Sequence, residues 1–254
     1  MELKEKNGYS YIDEGEGQTF MLLHGLFGAL SNWEKVVDVF SKHYRIIIPM
    51  LPIYTLPLKK SGVEGIAKFV TEFVNDFELS NMIVMGNSLG GHVGLAYILQ
   101  HPEKVEKLIL TGSSGLFENS MGGSFPRIQS YDYVKEKVGY TFYDPNTVSE
   151  EYVQEVYQTF KSPQKTLRLI AIARSAQRNN MADQLPEITA PVLLIWGLND
   201  TITPPSVAHE FYKLIPNSTL KFIDQCCHAP MMEQPERFNE ILGEYLFKEE
   251  NVSV

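Results

Sequence analysis

Met82-Ile83-Val84-Met85-Gly86-Asn87-Ser88-Leu89-Gly90-Gly91-His92 sets a short apolar, partly β-branched run directly before a Gly-x-Ser-x-Gly pentapeptide. A helix-like segment, Val93 to Leu99, follows it. The pattern predicts a strand, a tight turn and a helix, with Ser88 on the turn. A serine held there is pushed up at the sheet edge, its hydroxyl open to a substrate and a base. Gly86 and Gly90 suit such a turn because side chains at those positions would collide with the neighbouring strand and helix. The helix start beside Ser88 also aims free backbone N–H groups and a positive dipole end at any oxyanion formed there. The plain alternative is a glycine-rich turn without chemistry, and the strand before it and helix after it favour the nucleophile.

Outward from this stretch the chain repeats the same alternation. Tyr9–Ile12, Thr19–Leu23, Tyr44–Pro49, Lys107–Thr111, Pro191–Trp196 and Thr219–Ile223 read as strands. Between them lie helical patterns. One opens at Asn32-Trp33 with Val36, Val37, Val39 and Phe40 inward; others run from about Val63 to Phe77 and from Pro235 to Phe247. Short apolar strands alternating with helices indicate a mainly parallel central sheet covered by helices on both faces. The alternation stops after Ser114. Residues 115–184 hold helix-like pieces around Tyr131–Val138, Ser149–Phe160 and Pro163–Ala176, Ser149 being a plausible N-cap before an acidic first turn. The expectation is one α/β domain over 1–254, its core formed by 1–114 and 185–254, with 115–184 inserted as a helical cap.

At 254 residues, 44% hydrophobic and 21% charged, the chain has the balance of an ordinary globule able to bury a large core. Its net charge of -9 argues against nucleic acid or anionic membrane as the main partner, since both select basic surfaces. No run approaches the roughly 18 apolar residues of a membrane span. The charged start Met1–Lys6 lacks the apolar core of a secretion signal, which leads to a cytoplasmic expectation. Cys226 and Cys227 are adjacent and cannot form an ordinary framework disulfide. There is no internal repeat, and nothing low-complexity beyond a short acidic tail at Glu249-Glu250.

A serine hydroxyl is a weak nucleophile until a base takes its proton, and the base needs an orienting acceptor. Asp200, in Gly197-Leu198-Asn199-Asp200-Thr201-Ile202-Thr203-Pro204, directly follows a strand end. So does His228, in Cys226-Cys227-His228-Ala229-Pro230. Both therefore fall at the same sheet edge as Ser88. Asp200 is also placed to cap the helix starting near Pro205, and His228 could be a satisfied loop histidine. Asp224 is the nearest rival acid. His24 and His92 are the rival bases; His24 is expected to hydrogen-bond the glycine loop after it, and His92 to pack or meet solvent. His43, His101 and His209 read as surface residues. The loop His24-Gly25-Leu26-Phe27-Gly28 offers the N–H of Leu26 as an oxyanion donor, opposite that of Leu89. No pair of residues has a convincing metal-ligand spacing, so neither metal nor other cofactor is expected.

On HGLFG, GNSLGG, GLNDTITPP and CCHAPMMEQPE the chain resembles the α/β-hydrolase superfamily over nearly its whole length. The chain order Ser88, Asp200, His228 is the order of that family's triad. HGLFG resembles small bacterial carboxylesterases, whereas GNSLGG, with Asn87 before the nucleophile, is similar to meta-cleavage-product C–C hydrolases. Three places depart from the family pattern. Met50-Leu51-Pro52-Ile53-Tyr54 stands where many relatives have Asp-x-Pro-Gly-x-Gly, Cys227 where glycine is usual, and Ala229 where C–C hydrolases carry tryptophan. The resemblance implies a serine hydrolase acting on small-molecule esters of small to medium apolar acids. C–C cleavage of a dienoic diketo acid gripped by Arg174 or Arg178, or a non-catalytic binder on the same scaffold, are the alternatives. Phe27, Asn87 and Met231 are the candidate substrate-binding residues, beneath a cap rich in aromatics (Phe117, Phe125, Tyr131, Tyr133, Tyr140, Phe142, Tyr143, Tyr152, Tyr157, Phe160).

Overall fold

In a computed structural model of the protein, residues 1–28, 30–119 and 130–247 are described; Phe125 and the acidic tail, named above, lie outside them. Among the described residues eight strands form one sheet: β1 (Lys4–Lys6), β2 (Tyr9–Glu14), β3 (Thr19–Leu23), β4 (Arg45–Pro49), β5 (Met82–Asn87), β6 (Val105–Thr111), β7 (Val192–Gly197) and β8 (Ser218–Ile223). Their spatial order is β1-β2-β4-β3-β5-β6-β7-β8. Pairing is antiparallel from β1 to β2 and from β2 to β4, and parallel from β4 through β8. The parallel strands therefore end together, and the loops after β3, β5, β6, β7 and β8 converge on one edge. Ligand sites of open α/β sheets form at that edge.

The side-chain period of two divides each central strand between two cores. Met21 and Leu23 of β3, Met82 and Val84 of β5, and Val192, Leu194 and Trp196 of β7 enter one. Phe20 and Leu22, Ile83 and Met85, and Leu193 and Ile195 enter the other. Helices α2 (Val63–Asp76), α3 (Leu89–Gln100) and α7 (Pro205–Leu214) cover the first face through Ile66, Val70, Val93 and Phe211. Helices α1 (Glu34–Phe40) and α9 (Pro235–Leu246) cover the second through Val36, Phe40, Phe238 and Leu242. With both faces buried, these strands read as continuous apolar runs.

Between β6 and β7 the chain forms α4 (Tyr131–Gly139), α5 (Glu150–Phe160) and α6 (Pro163–Arg178). Each starts at a serine, Ser130, Ser149 or Ser162, whose hydroxyl accepts the N–H of the third residue on. Such a cap contributes about 1 kcal/mol. Val134 and Val138 of α4 join Val153 and Val156 of α5 in the second core, while Leu169 and Ile172 of α6 enter the first.

One local expectation is corrected. Val39 points outward, because α1 starts only at Glu34 after a 3-10 turn over Leu30–Trp33, which rotates its apolar stripe. The charged start contains a strand, β1, whose three exposed residues carry no apolar periodicity to betray it. Among the described residues no helix is long and apolar enough to cross a membrane.

Candidate active site

Ser88 sits between β5 and α3 with φ 54° and ψ -120°. A non-glycine residue at positive φ costs on the order of 1–3 kcal/mol and persists only where its surroundings hold it. Here they do. The Ser88 N–H donates to Thr111 O at 3.1 Å, and Ser88 O accepts the N–H groups of His92 and Ser114, each at 3.2 Å. Glycine is obligatory on both sides of the turn. A Cβ at Gly86 would lie 2.4 Å from the backbone of Gly90, and one at Gly90 would lie 2.0 Å from Leu23 O. Leu89 opens α3, so its N–H belongs to the first-turn donors that the helix itself leaves unpaired.

Asp200 and His228 meet at the ends of β7 and β8. His228 Nδ1 lies 2.9 Å from Asp200 Oδ2, and both residues are buried. The other Asp200 oxygen accepts the N–H groups of Ile202 and Thr203 at 2.8 and 2.9 Å. Thr203 Oγ1 donates to Oδ2 at 2.8 Å. Four donors thus fix the carboxylate's plane. Burial, the largest influence on the His228 imidazole, pushes its pKa down, but the Asp200 carboxylate more than reverses this, with smaller help from Glu118 and Glu233. The result lies above the ordinary histidine value. Asp224, by contrast, is exposed, and its carboxylate accepts the N–H of Gln225.

The two rival histidines are bound up in structure. His24 Nε2 accepts the N–H of Leu51 at 3.0 Å, and its Nδ1 lies 2.9 Å from Gly25 O. That bond ties the loop after β3 to the unusual Met50–Tyr54 segment. His92 is fully buried rather than solvent-facing, with Nδ1 3.5 Å from Ser114 Oγ, and burial holds its pKa down at about 4.

Ser88 and His228 line one cavity of about 150 Å³, together with Leu26, Phe27, Asn87 and Leu89. A cavity of that size accommodates a benzene-sized molecule. Its walls are largely apolar, from Phe27, Phe142, Ile172, Ala173, Ala176, Ile202 and Met232. Met231 does not line it; that side chain is buried in the second core, and its neighbour Met232 faces the cavity instead. Asn87 reaches the wall, but its amide nitrogen is spent on Thr111 O and His228 O at 3.0 and 3.1 Å. Arg174 and Arg178 share a face of α6, as helical spacing requires, but that face borders a separate surface groove with Glu64 and Asn179. Among the described residues no lysine or arginine lines the cavity, whereas Glu118 does.

Sequence reasoning missed three residues here. Thr203, three positions after Asp200, carries a signal in its spacing, as an acceptor–donor pair within one turn. Glu118 stands in a stretch without periodicity and offers none. The next residue is pinned nonetheless, since Asn119 donates from N to Ile202 O at 2.7 Å and from Nδ2 to Thr201 O at 2.8 Å. Glu233 lies inside CCHAPMMEQPE, yet nothing in that motif says where its side chain turns. Among the described residues no group of three or more His, Cys, Asp or Glu side chains is placed to hold a metal ion.

A strand-to-helix serine elbow and a buried acid–histidine pair at the carboxyl edge of a mainly parallel sheet define an α/β hydrolase. Residues 59–235 match the family described as serine aminopeptidase, S33, and the chain belongs to this α/β-hydrolase family. The solved structure of MGS-MChE2, an α/β hydrolase enzyme from the metagenome of sediments of the Mar Chica lagoon, Morocco, is 40% identical. It covers 99% of this chain and 100% of its own, with a TM-score of 0.81. A 2-hydroxy-6-oxononadienedioate/2-hydroxy-6-oxononatrienedioate hydrolase of Paraburkholderia phymatum is 28% identical over 93% of this chain and 90% of its own. The meta-cleavage product hydrolase CumD shares the fold at 22% identity and a TM-score of 0.84, over 97% of this chain and 98% of its own.

Proposed function

We propose that the protein is a serine hydrolase of carboxylic esters with small to medium apolar acyl groups. The observation that carries this reading is the buried Asp200–His228 pair opening onto the same small apolar cavity as Ser88. In the proposed cycle Ser88 Oγ attacks the ester carbonyl carbon while His228 takes the hydroxyl proton. The N–H groups of Leu26 and Leu89 stabilise the oxyanion, and His228 returns the proton to the departing alcohol. Water, deprotonated by the same histidine, then attacks the acyl carbon, and His228 passes that proton to Ser88 Oγ as the acyl–Oγ bond breaks and the acid leaves. Asp200 holds the imidazole in place and supports its positive charge.

The second reading, C–C cleavage of a dienoic diketo acid, draws on the Paraburkholderia relative, whose name gives a 2-hydroxy-6-oxo dienedioate as the compound hydrolysed. Such a substrate is an anion and needs a cationic grip. Among the described residues the cavity presents Glu118 and no lysine or arginine, and Arg174 and Arg178 face elsewhere. The ester reading fits that electrostatic environment better.

Labelling with a fluorophosphonate, followed by turnover of p-nitrophenyl esters of increasing acyl length, tests both. Ser88 should carry the adduct, and Ser88→Ala and His228→Ala should each lower kcat by roughly 10⁴-fold or more. An adduct on another residue would reject the nucleophile. A kcat/KM for a 2-hydroxy-6-oxo-dienoate a hundredfold above that of the best ester would reject the ester preference.

A further inference from the structure

We infer that Glu233 is a positioning residue for His228, tying the histidine's backbone to the loop that walls the cavity. The inference rests on the serine-hydrolase reading above. Glu233 is the last residue of the short helix α8 (Pro230–Glu233), five positions after His228. Its Oε1 accepts the N–H of Cys227 at 3.0 Å and that of Ala229 at 3.2 Å, the residues on either side of His228. The intervening N–H, that of His228, donates to Thr141 O at 3.1 Å. Glu233 Oε2 reaches the same loop, accepting the N–H of Tyr143 at 2.6 Å. Three consecutive N–H groups of the histidine loop and one of the loop after α4 are thus held by a single carboxylate and a single carbonyl.

That geometry does more than close a turn. Thr141 and Phe142 line the cavity, so the loop that would touch the acyl group is also the loop that holds the base. A charge is needed as well as a shape. Every group bonded to the Glu233 carboxyl is a donor, the Cys226 thiol at 3.9 Å included, and an ionised carboxylate is the acceptor-only form. Burial pushes the Glu233 carboxyl up, the three backbone donors draw it back in part, and Asp200 adds a smaller push upward, so its pKa stays above the ordinary carboxylate value. The groups facing this region are Asp200 from the β7 loop, Glu118 from the loop after β6, and the thiols of Cys226 and Cys227. Burial pushes both thiols up, Cys227 to about 11, so they are neutral at neutral pH. Glu233 therefore acts on His228 twice, through its backbone position and as a negative charge that favours the imidazolium.

The test compares Glu233→Gln and Glu233→Asp with the parent, measuring the rate of fluorophosphonate labelling at Ser88 against pH, and kcat and KM on a short p-nitrophenyl ester. Glu233→Gln retains the side chain's length but loses the charge and one acceptor. Its labelling rate and kcat should fall roughly tenfold or more, as small displacements of a catalytic group do, with KM little changed. The acid limb of its pH profile should move to lower pH, since His228 loses a supporting charge. Glu233→Asp keeps the charge but draws it back by one methylene, so its rate should fall while the acid limb stays. A limb unmoved in Glu233→Gln, or parent rates in Glu233→Asp, would overturn the inference. Should Glu233→Gln fail to fold, the Glu233→Asp rate alone decides. If the parent itself does not label at Ser88, it is the serine-hydrolase reading that fails, not the role of Glu233.

Discussion

Asp200 shows how one residue is selected from several of the same kind. Its carboxylate is buried, accepts four donors and touches the histidine, whereas the exposed Asp224 stabilises only its own turn. Asp200→Asn is therefore expected to lower kcat by about 10⁴-fold, because the amide cannot hold the imidazole in the required tautomer. Asp224→Asn should leave kcat within about twofold, as surface changes do; the opposite ranking would reject Asp200 as the orienting acid. The pH profile follows from the same pair. His228 must be neutral to accept a proton, and Asp200 holds its pKa above the ordinary value of about 6.5. Activity on a neutral ester is thus lost as pH falls through a midpoint above 6.5, and a midpoint at or below that value would contradict the assigned environment. The placement of Ser88, Asp200 and His228 at one sheet edge was legible in the sequence because each follows a strand end, a position that strand periodicity fixes. Met231 was not, since a one-residue choice between adjacent methionines depends on the rotation of a four-residue helix.

At the scale of elements, α6 presents two different surfaces, which helical spacing alone could not assign. Ile172, Ala173, Ala176 and Gln177 lie along the cavity, while Arg174, Ser175 and Arg178 turn to the outer groove. The periodicity of Leu167–Arg174 shows that one face packs, but which face meets the cavity depends on how α6 docks against α2 and α5, a tertiary property. The serine caps of α4, α5 and α6 were more accessible, and Ser149 is readable from its hydroxyl and the two glutamates after it. Ala176 is small and faces the cavity beside Ile172. Replacing it with phenylalanine should fill part of about 150 Å³ and shift preference toward shorter acyl groups. The kcat/KM ratio of butyrate to acetate p-nitrophenyl esters should drop several-fold, on the scale of one to two methylenes in an apolar pocket. An unchanged ratio in a folded variant would remove α6 from the selectivity wall.

On the scale of the whole molecule, charge and cavity agree. The chain carries a net charge of -9, and the described cavity lining adds Glu118 but no cation. A field of one sign changes the local concentration of charged substrates, and salt screens it beyond about 10 Å at 0.1 M. Within the cavity, close to Glu118, screening is weaker because low-dielectric walls exclude ions, and the same burial pushes the Glu118 carboxyl above its ordinary value, so its repulsion of an anion strengthens as pH rises. An ester with a terminal carboxylate therefore meets two barriers, one far and salt-sensitive, the other near and persistent. p-Nitrophenyl butyrate and p-nitrophenyl hemisuccinate have similar lengths and the same leaving group, and differ in that charge. The hemisuccinate should be turned over with a kcat/KM roughly tenfold or more below that of the butyrate. Added salt should narrow the gap without closing it, and Glu118→Gln should narrow it further, chiefly through KM. The butyrate itself should respond little to salt. Equal turnover of the two esters at low ionic strength would show that the negative cavity does not select substrates, and would return the anionic dienoate to equal standing with the neutral ester.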